Sequence, residues 1–289
     1  MSLDFQIPKR KSTKYIFFGM NMFMKYLILF LMVSKAYALP LYNPAQASIL
    51  PSTVCSNPNK CFSFNGGFTG YYVRDHKLEV TNRGSDSYIS SATKRTNAFY
   101  GDINWNNRID LFCTLGTSNF SYSIPTTDLG VTGVAGNFLI NTDTAFSGSV
   151  GARATLYRRG CFLIGAEGEY FRSNPHVRSI DTGGPNGMNY NYSEWQFGLG
   201  AAYRINISGP TTALMPYLGM RIGATSVDGN QDSFIDPANN RVTLVDMKQQ
   251  RRAGYSIGIT LIGCDKIEVS AEGAYLNETA LLVNSSIRF

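Results

Sequence analysis

From Glu194 to Asn206 the chain alternates strictly between two kinds of side chain. Trp195, Phe197, Leu199, Ala201, Tyr203 and Ile205 fall on one side, while Glu194, Gln196, Gly198, Gly200, Ala202, Arg204 and Asn206 fall on the other. Successive residues of a strand point to opposite faces, so this segment predicts a strand with one apolar and one polar or small face. It is far longer than the ~5–6 residues usual in soluble sheets. The pattern recurs along the chain. Phe62, Phe64, Phe68 and Tyr72 oppose Ser63, Asn65, Gly67 and Thr69; Ile109, Leu111, Cys113 and Leu115 oppose Asp110, Phe112 and Thr114. Similar alternation runs through 146–156, 162–170, 214–222, 255–261 and 267–275, and closes with Leu281, Val283, Ser285, Ile287 and Phe289. Repeated segments of this kind predict an all-β, transmembrane antiparallel β-barrel whose apolar side faces lipid.

The connections alternate too. Short turns are expected at Asn106-Asn107, Arg158-Arg159-Gly160, Ser208-Gly209-Pro210 and Gly263-Cys264-Asp265, and long polar stretches at about 75–93, 123–141, 174–189 and 228–248. Outer-membrane barrels sort their connections in this way, with short periplasmic turns and longer external loops. The count is about ten strands, rising to about sixteen if Lys77–Thr81 with Ser87–Ser90 and Val131–Ile140 form further hairpins. The number bears on function. Side chains fill a narrow barrel, whereas a sixteen-stranded one leaves an aqueous channel.

The segment preceding the strands reads differently. Lys25 precedes an apolar run from Tyr26 to Val33, and Ala36-Tyr37-Ala38 offers small residues for cleavage, which predicts a signal peptide over 1–38. An uncleaved anchor starting near Tyr15 is the alternative, and Met20, Met22 or Met24 are candidate starts. A periplasmic segment (39–61) and the barrel (62–289) complete the expected organisation.

Charge then removes one class of partner. The formal net charge is +6. Lys9, Arg10, Lys11, Lys14, Lys25 and Lys35 face only Asp4 in the first 38 residues, so the remainder is close to neutral. No basic run with interleaved aromatics follows, and a nucleic-acid partner has no support.

By parity, Arg153, Arg204, Arg221, Arg252 and Arg288 share the inner face with Asp110, Glu167, Glu169, Glu194, Glu268 and Glu272. Turning a charge to lipid at the bilayer midplane costs roughly 2–4 kcal/mol, so the lumen is where these side chains are expected. They would form either a charged constriction that biases ion passage or a paired polar core that plugs the barrel. Their near balance predicts weak ion selectivity.

Several stretches in order resemble the chlamydial major outer membrane protein (porin) family: Leu39–Pro44, Arg108–Asn119, Ser149–Leu156, Gly160-Cys161, Glu194–Asn206, Pro216–Gly219 and Asn284–Phe289. The likeness extends over essentially the whole chain after residue 38. It implies an outer-membrane general-diffusion porin for ions and small solutes that also stiffens the envelope through disulfides. This chain is shorter, with reduced loops and fewer cysteines. A last strand ending in Phe289 resembles the signal read by the barrel assembly machinery.

Five cysteines remain: Cys55, Cys61, Cys113, Cys161 and Cys264. Export puts them where disulfides persist. Cys161 and Cys264 fall at short turns and Cys55 and Cys61 precede the first strand, whereas Cys113 has lipid-facing parity. An odd number leaves one unpaired within a single chain. Two arrangements stay open: intermolecular bonds to other copies or to cysteine-rich envelope proteins, and one local Cys55–Cys61 bridge beside inert thiols. The spacing suits no zinc site, and no cofactor or metal is expected.

Two further classes compete with the porin. An outer-membrane hydrolase would place a base on an external loop, where His76 and His176 are expected, but no nucleophile motif accompanies either. An adhesin or structural barrel would work through its loops. Tyr190 and Tyr192 are expected in an interfacial aromatic girdle.

Overall fold

The computed structural model describes Asn43, Ala47 and residues 54–289 apart from 58–59, 82–88, 90, 127, 129–135, 181–187, 209–210, 230–232, 236–240 and 265. The expected leader lies outside the described residues.

Ten long strands carry the architecture: β1 (Lys60–His76), β2 (Ser91–Trp105), β3 (Ile109–Pro125), β4 (Ala145–Arg159), β5 (Phe162–Ser173), β6 (Asn191–Tyr203), β7 (Thr212–Asp228), β8 (Ala253–Gly263), β9 (Ile267–Tyr275) and β10 (Glu278–Arg288). Each pairs antiparallel with the next. The last pairs back onto the first, with Asn284 opposite Thr69 and Ser286 opposite Gly67. Closure leaves no edge, so every strand finds its hydrogen-bond partners inside the protein, as a bilayer requires.

Alternation sorts the side chains. Phe99, Leu111, Leu115, Phe146, Val150, Leu218, Met220 and Ile257 are exposed on the outer wall, and their strand neighbours are buried inside. Such an inside-out distribution is favourable only where the surrounding solvent is itself apolar. Among the described residues no helix is long and apolar enough to cross a membrane; the strands do so. Aromatic rings mark the two rims. Phe62 and Trp105 stack at 6.4 Å near the short turns, and Tyr255 and Tyr275 at 5.6 Å near the other end. Trp195, opposite Tyr170, continues that upper girdle. Tyr190 and Tyr192 do not join it. Both are buried inside, because Tyr192 shares the inner parity of Glu194.

The short turns have specific causes. Asn106 (φ 55°) and Asn107 (φ 51°) both take the left-handed conformation, and Arg108 N–H donates to Trp105 O at 3.0 Å. A tight hairpin turn whose twist matches its strands needs positive φ at its two central positions, which asparagine tolerates. At the opposite end the connections are long except for one. Leu276 (φ 80°) and Asn277 alone join β9 to β10.

The long connections are not simply polar loops. Asn137–Thr142 folds back on the end of β3 and also pairs with Val177–Ile180. Leu78–Val80 pairs with Met247–Gln249, which in turn pairs with the end of β7. These pieces raise the external wall without entering the closed circuit, so the strand number resolves to ten rather than a higher count.

Candidate functional site

The interior is layered. Its external half is apolar. Tyr71, Phe120, Tyr122, Phe171, Tyr190 and Tyr192 pack with Leu244, Val245 and Met247, which the last long connection brings over the mouth. Ring centroids lie 4.5 Å apart for Phe120 and Tyr192, and 5.5 Å for Tyr122 and Tyr190.

Beneath this cap sits a first tier of charge. Lys94 Nζ donates to Glu194 Oε2 at 2.7 Å and to Tyr192 Oη at 3.3 Å. The same ammonium lies 4.1 Å from the Phe171 ring centroid, 4.5 Å from Tyr192 and 5.0 Å from Tyr71, a cage in which cation–π attraction is strengthened by desolvation. Arg221 Nη2 meets Glu278 Oε1 at 2.6 Å, and Tyr71 Oη donates to that same oxygen at 2.5 Å. Arg221 also donates to Asn277 Oδ1 at 3.2 and 3.0 Å, tying the short external turn to the interior. His76 is here as well, buried and 3.3 Å from Thr225 Oγ1. The sequence put it on an external loop. It is instead the last residue of a first strand that runs further than its apolar alternation shows. His176 is exposed, bridged to Asn189.

A polar middle follows. Gln196 Nε2 donates to Glu169 Oε2 at 3.0 Å and Tyr217 Oη to Glu272 Oε2 at 2.8 Å. Ser270 Oγ donates to Glu268 Oε1 at 3.4 Å and is 3.0 Å from Thr260 Oγ1. Hydroxyls of Thr96, Ser118 and Ser147 form a chain at 2.7 and 2.9 Å.

A second tier of charge occupies the short-turn end. Arg153 Nε is 3.6 Å from Asp110 Oδ2 and 3.8 Å from Glu167 Oε2. Its Nη2 donates to Tyr100 Oη at 2.5 Å, and its guanidinium lies 4.8 Å over the Phe112 ring. Arg288 Nε donates to Asn65 Oδ1 at 2.8 Å, and Asn65 Nδ2 to Asp102 Oδ1 at 2.6 Å. Asn43 and Ala47 reach this end from the preceding segment. Asn43 Nδ2 contacts Met215 Sδ at 2.8 Å, and Asn104 Nδ2 donates to Ala47 O at 2.8 Å. Buried pairs of this kind recover their desolvation only with good geometry and added hydrogen bonds, so they favour one arrangement of the interior more than they add stability.

Of the charged residues assigned inward by parity, Asp110, Arg153, Glu167, Glu169, Glu194, Arg221, Glu268, Glu272 and Arg288 are buried inside the barrel. Arg204 and Arg252 are corrections. Arg204 falls at the break after β6, where its Nε donates to Asn206 Oδ1 at 3.2 Å on the exposed rim. Arg252 precedes β8 and is exposed. Both lie where the strand ends and alternation no longer dictates direction. Sequence reasoning missed Lys94, Asp102 and Glu278. Lys94 belongs to the inner parity of Ala92, Thr96 and Tyr100, but the upper part of β2 shows polar residues on both faces.

Cys113, Cys161 and Cys264 are free and exposed. Cys61 is disulfide-bonded, and its backbone lies opposite Cys55. Phe289 is exposed, with its N–H donating to Phe64 O at 2.8 Å. Among the described residues, no group of three or more His, Cys, Asp or Glu is arranged to hold a metal ion.

A family profile described as Chlamydia major outer membrane protein matches residues 136–184. A major outer membrane porin of Chlamydia psittaci is 26% identical, over 87% of this chain and 95% of the relative. One from Chlamydia pneumoniae is 26% identical, over 89% and 96%. Among solved structures, the outer membrane protease OmpT from Escherichia coli matches 82% of this chain and 98% of its own, with 13% identity and a TM-score of 0.45. That likeness is too slight to carry an argument about chemistry. The matches to porins run almost end to end in both partners and agree with a closed barrel, apolar outside and charged within. Over most of its length the chain is similar to the chlamydial major outer membrane porins.

Proposed function

We propose that the protein is an outer-membrane porin through which ions and small solutes diffuse passively. It resides in the outer membrane, with lipid against its outer wall and solutes meeting its interior. The observation that carries the reading is a closed barrel whose buried face holds Lys94, Arg153, Arg221 and Arg288 among carboxylates, set in a wall that is apolar outside. Inward charges lining a barrel act on passing ions as charged rings do in other channels. With ten strands the passage is narrow, so water and small ions are its natural traffic. The relatives named as porins point to transport and away from enzymatic chemistry.

Planar-bilayer recording of the refolded chain tests this. Stepwise conductance is expected, and its absence at every voltage sinks the reading. A second reading, a side-chain-filled structural barrel or adhesin, is favoured by the apolar cap of Tyr122, Tyr190, Leu244 and Val245. The same recording separates the two.

A structural role accompanies transport in this reading. The exposed thiols of Cys161 and Cys264 lie at the short turns, where copies of this chain or cysteine-rich envelope proteins would be joined by disulfides. Monomer alone on non-reducing gels of intact envelopes would refute it. The terminal Phe289 is the natural handle for the barrel assembly machinery. Deleting it should lower the amount assembled in cells and leave refolding of the purified chain unchanged.

A further inference from the structure

On one wall of the lumen, neighbouring buried polar side chains stand without protein partners. Toward β3 and β4 the interior is packed, with Phe112 and Tyr100 against the Arg153 guanidinium. On β10 and β1 a contiguous row of buried polar atoms lacks hydrogen-bond partners, as single atoms such as Glu169 Oε1 do elsewhere in the interior. Both Nδ2 and Oδ1 of Asn284, Oγ of Ser286 and Oγ1 of Thr69 have no hydrogen bond. These residues are at most 2% exposed. They are also neighbours. Asn284 lies opposite Thr69 on one side and Ser270 on the other, and Ser286 lies opposite Glu268.

Buried polar groups are costly unless satisfied, and a contiguous row of orphans marks a place meant for a polar occupant. An amide with both ends open needs a partner that donates and accepts, which is water. Around that file the donor set is oxygen: hydroxyls, an amide carbonyl and the carboxylates of Glu268 and Glu272. Neither β8 nor β9 adds a basic side chain to the inner face. Arg288, at the lower end, is held by Asn65. Hard oxygen ligands with a negative surplus suit small hydrated cations. The whole interior leans the same way. Among the described residues of the barrel strands, eight buried carboxylates face four buried Lys and Arg side chains.

We propose that the wall formed by β9, β10 and β1 is a hydrated seam that takes small monovalent cations, held by Thr69, Asn284 and Ser286 beside Glu268 and Glu272. Its use in permeation rests on the porin reading; its occupancy by cations does not. The near balance of charge read from the sequence pointed to weak selectivity. The buried set, with Lys94, Asp102 and Glu278 included and Arg204 and Arg252 removed, points to cation preference.

Two measurements on the full refolded chain test the seam. In bilayers under a KCl gradient, the reversal potential should have the sign of cation preference. Glu268→Gln with Glu272→Gln should bring it toward zero, and Asn284→Leu should cut conductance several-fold, while the exposed Lys248→Gln should change neither. Heat-shifted mobility on gels shows whether each variant is folded. Independently, crystals of the unaltered chain soaked in RbCl should show anomalous density beside Asn284 and Ser286. Conductance with a zero or anion-side reversal potential, or no rubidium in the seam, overturns the proposal and leaves the porin reading standing. Rubidium in the seam without any conductance supports the cation site and removes the porin reading.

Discussion

Tyr217 reaches Glu272 by passing over Gly258. The three residues stand side by side on β7, β8 and β9, with Tyr217 paired to Gly258 and Gly258 to Glu272. A Cβ at position 258 would sit 2.3 Å from Tyr217 Cζ and 2.4 Å from Oη, so the strand between must be bare for the hydroxyl to cross. Phe112 lies over Gly151 in the same way, the ring 2.3 Å from where a Cβ would stand. An aromatic laid across a bare neighbouring strand fills a curved interior that side chains pointing straight inward would leave hollow.

Gly258→Ala is therefore expected to push the Tyr217 ring aside and break its bond to Glu272. A hydrogen bond to a carboxylate is worth about 1.5–3 kcal/mol, so urea unfolding of refolded barrels should show a loss of that order. Tyr217→Phe should lose a similar amount, and the double variant little more than either. Additive losses would mean that the two residues do not act together.

Lys94→Met removes the ammonium from a cage of three rings and leaves Glu194 buried with the hydrogen bond from Tyr192 Oη but without its ion-pair partner. Breaking a buried pair on one side costs about 3–5 kcal/mol, because the remaining charge is uncompensated. Unfolding should register most of this. Adding Glu194→Gln should restore part of it, since the stranded carboxylate is then gone.

The apolar cap offers a direct test of what limits passage. Leu244→Ser with Val245→Ser replaces two buried aliphatic side chains by small polar ones at the external mouth. Single-channel conductance should rise if this cap is the narrowest apolar stretch, since hydrophobic constrictions close by excluding water. Unchanged conductance would place the restriction at the Arg153 tier.

The free thiols should separate by solvent. In membranes, a water-soluble maleimide is expected to label Cys161 and Cys264 at the short turns but not Cys113, which projects from the mid-wall beside Leu111 and Leu115. A membrane-permeant reagent should reach Cys113. Equal labelling of all three by the soluble reagent would contradict the lipid-facing assignment.

The barrel was legible because lipid imposes a stricter rule than a soluble core does. Every outward position in the bilayer must be apolar, and Trp195 through Ile205 or Phe62 through Phe68 obey it. The asparagine pair at 106–107 announced its turn for a similar reason, as few residues accept positive φ twice in succession. Legibility failed above the membrane. There β2 places Lys94 inside and Arg95 outside, so polarity no longer tells the faces apart. The external interior is apolar on both accounts, which is why Tyr190 and Tyr192 read as girdle residues. Arg252 and Arg204 failed at strand ends, where alternation stops. Pairings across the lumen, such as Arg221 with Glu278, join strands that are distant in sequence and leave no periodic trace.

The two-residue link at Leu276 and Asn277 cuts the barrel strands short on one side. β8, β9 and β10 have 11, 9 and 11 residues, close to the ~9–11 needed to cross a bilayer. β1, β3 and β7 have 17 each and stand well clear of it. Over those short strands lies the ribbon of Met247–Gln249 and Leu78–Val80, which runs from the end of β7 to the continuation of β1, and Lys77 N–H donates to Asn277 O at 3.3 Å. The rim is completed there by connecting segments, like a lintel laid across short posts. An antibody or a neighbouring surface arriving at that place meets loop, where elsewhere it meets barrel strand.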